Sequence, residues 1–93
     1  MKRWKHGLAE EIASGRFDKR FPADLRKVAR RKVLMVLHAA TLADQRIPPA
    51  NRLEQLAGDR AGQHSIRIND QYRVCFRWSE TDGACEIEVV DDH

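Results

Sequence analysis

The stretch Asn51 to Trp78, NRLEQLAGDRAGQHSIRINDQYRVCFRW, decides the fold, and its second half carries most of the decision. From Ser65 to Trp78 two runs alternate in polarity about the polar centre Asn69-Asp70-Gln71, the pattern of two half-buried strands joined by a tight turn. Ile66 and Ile68 must share a face with Tyr72, Val74 and Phe76, because slipping the pairing by one residue turns one strand inside out. A two-residue loop would set Ile66 against Arg73 and fails that condition. A three-residue loop pairs Ile68 with Tyr72, Ile66 with Val74 and Ser65 with Cys75, and it leaves Arg67 facing Arg73 on the outer face. Like charges directly opposite each other in a sheet cost stability. Two guanidinium forks side by side suit a phosphate, so the pair reads either as a clamp for an anion or as two solvated arginines splayed into water.

Upstream, Pro48-Pro49 ends helical character. Ala50 to Gly62 then reads as a short extended segment and a mobile, glycine-hinged loop, in which Arg52, Glu54, Asp59 and Arg60 can approach a ligand. Pro22 to Asp44 carries the strongest helical signal, with Leu25, Val28, Met35, Ala39, Leu42 and Ala43 recurring at three and four residues. As one helix of about 23 residues it extends about 34 Å, with Arg26, Lys27, Arg30 and Arg31 on the face away from the sheet. Val33, Leu34, Val36 and Leu37 widen its apolar stripe, either as core or as a surface for another chain. Leu8 to Ala13 predicts a short helix ended by Gly15, Phe17 and Phe21 flank a polar link, and Lys2 to His6, centred on Trp4, suits a basic edge strand.

Downstream, Ser79 to Ala84 reads as a six-residue turn with Asp82-Gly83 at its tip, and Cys85, Ile87 and Val89 return along Tyr72 to Trp78. With Trp78 opposite Cys85, Arg77 faces Glu86 and Arg73 faces Val90. The ending Val90-Asp91-Asp92-His93 then finishes beside the arginine pair. The expected fold class is α+β, an N-terminal strand and two helices packed on an antiparallel-rich sheet of about four strands, in a single domain over residues 1–93.

Composition narrows the function. The 93 residues carry 33% charged and 42% apolar side chains, with no apolar run near the ~20 residues that span a membrane and no signal-peptide h-region, so a cytoplasmic location is expected. Cys75 and Cys85 face opposite ways by alternation, which argues for reduced thiols rather than a disulfide, and the absence of a CxxC pair argues against structural zinc. The net charge of +3 is unevenly spread. Eleven Lys and Arg residues, from Lys2 to Lys32, precede residue 33, and acids crowd the end. A basic half suits a polyanion such as RNA or DNA, or else a solvated helix face balanced by the acidic tail. At the C-terminus His93 can exchange a proton near neutral pH where arginine cannot, unless the tail is frayed and idle. An arginine clamp with a proton carrier is enough to cleave RNA without metal.

The run NRLEQLAGDRAGQHSIRINDQYRVCF, together with the ending VDDH, closely resembles the HigB-type toxins of bacterial toxin–antitoxin modules, within the RelE-like superfamily and especially its GraT-like branch. The resemblance implies a messenger-RNA endonuclease that enters the decoding A site of the small ribosomal subunit and cuts the exposed codon, using basic and polar residues and no cofactor. It further implies a helix-turn-helix antitoxin encoded alongside, through which alone the toxin reaches operator DNA, and no membrane partner. Arg67 and Arg73 match the family's hairpin arginines, and Asp91 and His93 its C-terminal acid and histidine. Arg52, Arg60, Arg77 and Glu54 are the expected RNA-binding residues, and Arg26, Arg30 and Arg31 the expected antitoxin contacts. Where many members carry histidine and lysine in the loop and a tyrosine near the end, this chain has Glu54, Ala57 and Asp92. Losing a base-stacking platform, worth about 1–3 kcal/mol, implies a slow enzyme. The alternatives are a non-cleaving ribosome- or RNA-binding inhibitor of translation or ribosome assembly and, less in keeping with these residues, a gyrase poison.

Overall fold

The computed structural model describes residues 2–16, 21–46 and 51–91. The hairpin forms as its alternation requires. β1 (Glu54–Gln55) precedes it, and β2 (Gln63–Arg67) and β3 (Tyr72–Ser79) pair antiparallel, with Ile66 opposite Val74, Ser65 opposite Cys75 and Arg67 opposite Arg73. The Ile68 amide donates to the Tyr72 carbonyl at 2.9 Å, which leaves Asn69, Asp70 and Gln71 as the loop. Asn69 closes it, its Oδ1 accepting from the Gln71 amide at 2.9 Å and the Tyr72 amide at 2.7 Å, so that a side chain stands in for a backbone turn. With β4 (Gly83–Asp91) the sheet is antiparallel in the order β1-β2-β3-β4.

Two expectations about β4 change. The turn before it is Glu80 to Asp82 rather than six residues, because Ser79 already pairs with Gly83. Gly83 sits at φ +76°, which glycine adopts without penalty, and the Ser79 hydroxyl accepts from the Thr81 and Asp82 amides at 3.3 and 3.2 Å. A bulge follows. Arg73 pairs with Val90 as expected, but Trp78 pairs with Ala84 and Arg77 with Cys85, one residue out of step. Glu86, at φ +50°, takes up the extra residue. Cys75 and Cys85 consequently share the outer face of the sheet instead of facing opposite ways, and both are buried free thiols. Lys2 to Lys5 lie along the edge of β4 at this bulge. The Glu86 and Ile87 amides donate to the Lys2 and Arg3 carbonyls at 2.8 and 3.0 Å, and Trp4 bridges Ile87 in parallel. The edge strand expected there is thus reduced to one bridge.

The first helix, α1 (Gly7–Ala13), ends before Gly15 at φ +83°, as its sequence predicts. The long helix does not hold. Ala23–Leu25 is a 3₁₀ turn, α2 runs Arg26–His38, and Ala39 is extended at ψ 130°. At ~1.5 Å per residue α2 spans about 20 Å rather than about 34 Å. Propensity does not explain the break, since alanine is the best helix former. Thr41 and Asp44 do, because the Thr41 amide donates to Asp44 Oδ2 at 3.1 Å and the Asp44 amide to Thr41 Oγ1 at 3.2 Å. That reciprocal cap starts a separate 3₁₀ turn, Ala43–Arg46. Phe17 and Pro48-Pro49 lie outside the described residues.

Both helices pack on one face of the sheet, against β4 and, for α2, β3. Ala9 and Ile12, Ala29, Val33 and Val36, and Phe21 meet Ile66, Ile68, Val74, Phe76, Ala84 and Ile87 in one buried cluster. Burying each large side chain contributes about 1.5–3 kcal/mol to a fold whose net stability at this length is about 5–14 kcal/mol, so single core residues matter. Of the four residues expected to widen the stripe, Val33 and Val36 are core and Leu37 packs against it. Only Leu34, with Met35, faces the open flank beside Lys27, Arg30 and Arg31. Lys32, counted among the basic residues, is instead buried and bonded to Asn51. No helix among the described residues is long and apolar enough to cross a membrane.

Candidate functional site

The face of the sheet turned away from the helices carries three rungs across β2, β3 and β4. They are Arg67, Arg73 and Val90; Ser65, Cys75 and Glu88; and Gln63, Arg77 and Cys85. Alternation along each strand brings these residues to one side.

Arg67 and Arg73 share the first rung, and each is held by groups near it. Arg73 leans toward the second rung, its Nε donating to Ser65 Oγ at 2.9 Å and its Nη2 lying 3.3 Å from Glu54 Oε2. The same Nη2 reaches the Arg52 carbonyl at 3.4 Å. Arg67 pairs with Asp70 in the hairpin loop. Exposure separates the partners. The arginine side chains are 14% (Arg73) and 26% (Arg67) exposed, whereas Glu54 is 56% and Asp70 95% exposed. The cations are therefore fixed by the sheet while their anions stand in water, where such a pair is worth about 0–1 kcal/mol. A phosphate presents several charged oxygens to both forks at once, and a weakly held carboxylate can give way to it.

The rest of the expected RNA-binding set divides. Glu54 and the backbone of Arg52 belong to the arginine site, whereas Asp91 pairs with Tyr72, one rung on from Arg73 and so on the other face by alternation, and accepts from Gln71 Nε2 at 3.1 Å. Arg60 stands over the second rung, 3.5 Å from Glu88 Oε2 and 3.3 Å from Gln63 Oε1. Lys5 meets the same Glu88 oxygen at 3.1 Å, so this buried acid ties the N-terminal segment and the glycine-containing loop to the sheet. Arg77 is not brought to the pair. It lies four residues, about 13 Å, along β3, bonded to Glu86 at 3.0 Å, and a Cβ on Gly62 would come 2.8 Å from its Nη1. His93 lies outside the described residues.

Arg26, Arg30 and Arg31 are on α2, across the sheet from Arg67 and Arg73. Arg30 also donates to the Ala13 carbonyl at 3.2 Å and so joins the two helices, and Arg26 is half-buried. Lys27, Arg30, Arg31, Leu34 and Met35 line one shallow groove, basic at one end and apolar at the other.

Sequence reading missed Ser65, Glu88 and the Lys32–Asn51 pair as organisers. The first two were legible, since the register that sets Ser65 on Cys75 and Arg73 on Val90 also sets Glu88 on Cys75. Lys32 carried no such signal. Burial, and then the neighbouring Arg31 charge, lowers its pKa below the usual lysine value. His64, half-buried against Phe76 at 5.8 Å between ring centres, has its pKa lowered by burial.

Residues 5–93 match the family model for the RelE-like toxin of the type II toxin–antitoxin system HigB. The chain is similar to Toxin HigB-1 of Vibrio cholerae serotype O1, 39% identical over 72 residues, which cover 77% of this chain and 74% of that protein. It is also similar to an uncharacterized protein of Haemophilus influenzae, 36% identical over 63 residues, covering 68% of this chain and 62% of the other. The paired arginines thus stand in a chain that belongs to the HigB-like family of RelE-like toxins of type II toxin–antitoxin systems.

Proposed function

We propose that the protein is a ribosome-dependent, metal-independent endoribonuclease that cuts messenger RNA codons in the ribosomal A site, at a slow rate. The observation that carries this reading is the first rung, where two sheet-fixed arginines stand side by side and the carboxylates beside them, Asp70 and Glu54, face solvent. In the reaction the 2′-oxygen attacks the adjoining phosphorus and the bond from phosphorus to the 5′-oxygen breaks. One proton leaves the 2′-hydroxyl and one arrives on the 5′-oxygen. Arg67 and Arg73 neutralise the crowded phosphate oxygens as charge builds. His93 is the proton carrier and Asp91 its acidic neighbour in this scheme. Arg52 and Glu54 line the RNA path, with Arg60 and Arg77 further along the same face. Ala57 and Asp92, standing where the resemblance implies lysine and tyrosine in many members, support the slow rate.

A second reading, a ribosome binder without turnover, draws support from Glu54 and Asp70, which already occupy both arginines. Mapping messenger-RNA 5′ ends after induction decides between them. Codon-spaced cuts are expected, and Arg73→Ala is expected to reduce them about 10²–10³-fold, the usual cost of one preorganised charge-stabilising group. Growth arrest without new ends sinks the endonuclease reading.

A type II toxin has an antitoxin partner. We assign that antitoxin, a protein with a helix-turn-helix domain that carries the toxin to operator DNA, to the flank of α2 around Arg26, Arg30 and Arg31, leaving the arginine face open. The groove that runs from Lys27 and Arg31 to Leu34 and Met35 suits an acidic amphipathic helix.

A further inference from the structure

Asn51 is fully buried and Lys32 is 5% exposed. The Lys32 ammonium donates to Asn51 Oδ1, and Asn51 Nδ2 donates to the Gln45 carbonyl at 3.1 Å and to Met35 Sδ at 3.7 Å. One asparagine thus fastens the segment before β1 to α2 and to the 3₁₀ turn. The next residue, Arg52, has φ +47°, a region a branched or long side chain occupies only when its surroundings over-determine it. That φ turns the Arg52 carbonyl to Arg73 Nη2 at 3.4 Å, and two residues later Glu54 reaches the same nitrogen at 3.3 Å. An ammonium buried this far costs desolvation that a methionine of similar length would avoid, so its bond has to be worth keeping. The partners of the other arginines do not depend on it. Arg67 is held by Asp70 three residues away, and Arg77 by Glu86 across the bulge.

We infer that Lys32 and Asn51 are positioning residues for Arg73, fixing the backbone at Arg52 so that its carbonyl and the Glu54 carboxylate hold the guanidinium in place. Only the catalytic consequence rests on the endonuclease reading. The geometric part is tested without RNA, by the exchange with water of the Arg73 Nη2–H and Arg77 Nε–H protons in the isolated protein, followed by NMR. In Lys32→Met and Asn51→Ala, exchange at Arg73 is expected to speed up about tenfold or more while Arg77, held by Glu86, changes less than about twofold. Asn51→Asp keeps the acceptor for Lys32 and loses the donor to Gln45, so it is expected to fall between, and it serves if the alanine variant does not fold.

On translating ribosomes Lys32→Met is expected to lower kcat about ten- to a hundredfold at an unchanged KM, the size of a small misplacement. The loss is expected to vanish when Arg73 is already alanine, because the two act as one unit. Equal acceleration at Arg73 and Arg77, in step with a lower Tm, overturns the inference, since the network then only holds the fold. Selective acceleration at Arg73 in a protein that cuts no message supports the positioning and sinks the endonuclease reading alone.

Discussion

On the outer face of the sheet four arginines stand beside carboxylates, Arg67 with Asp70, Arg73 with Glu54, Arg60 with Glu88 and Arg77 with Glu86. On the flank of α2, Lys27 and Arg31 are exposed and have no carboxylate partner among the described residues. The sheet arginines are partly offset by the acids beside them, so an anion that reaches Arg67 or Arg73 has to displace a carboxylate. Lys27 and Arg31, without such a partner among the described residues, extend their field to about a Debye length, about 8 Å at physiological salt. A net charge of +3 thus hides an uneven balance, since among the described residues the sheet arginines have carboxylates beside them and Lys27 and Arg31 do not.

The floor between the two faces is the strongest place to break this division. Phe76 is fully buried on β3, under the helices and one residue from Cys75 and Arg77 of the outer face. Phe76→Ala is expected to cost about 3–5 kcal/mol, a large share of the total, and to lower antitoxin binding and RNA cleavage together. Urea unfolding measures it. A variant that keeps its midpoint while losing either activity would mean the faces do not share one support.

A smaller effect separates the faces. Reversing Lys27 and Arg31 together, which leaves the Arg30 link to Ala13 intact, is expected to weaken the antitoxin complex by about 1–2 kcal/mol, roughly tenfold in Kd. The loss should shrink in high salt. Arg73→Ala is expected to leave that Kd within about twofold. The opposite ranking by calorimetry would place the antitoxin over the arginine face instead.

The hairpin was legible because period-two alternation and a polar loop allow only one register, and the register alone predicted the facing arginines. Element lengths were not. Helix periodicity continued through Ala39 and Leu42, but the Thr41–Asp44 cap competes for the same backbone, and only that four-residue signature announced the break. The bulge at Glu86 needed a non-glycine residue at positive φ, which composition does not mark. For the candidate site, the sequence pointed to the cations and missed what fixes them. Ser65 was read only as the strand partner of Cys75 and Asn51 only as part of an extended segment, and a buried Lys32 runs against the ordinary rule for lysine.

The smallest effect concerns pH and lies on the core side of β2. His64 is half-buried beside Leu42, Ala43, Leu53 and Gln55, and burial disfavours its charged form, so its folded pKa lies below the unfolded value of about 6.5. Between those two values the unfolded chain binds a proton that the folded protein does not. Stability therefore rises with pH across that window, falls as the solution is acidified from above about 6.5, and levels off once the pH is below the folded value. His64→Gln removes this dependence. Urea midpoints at pH 7.5 and at successive steps to pH 5 are expected to fall more for the unaltered protein than for the variant. Parallel curves would mean that the imidazole is solvated in the folded state and that acid sensitivity arises elsewhere.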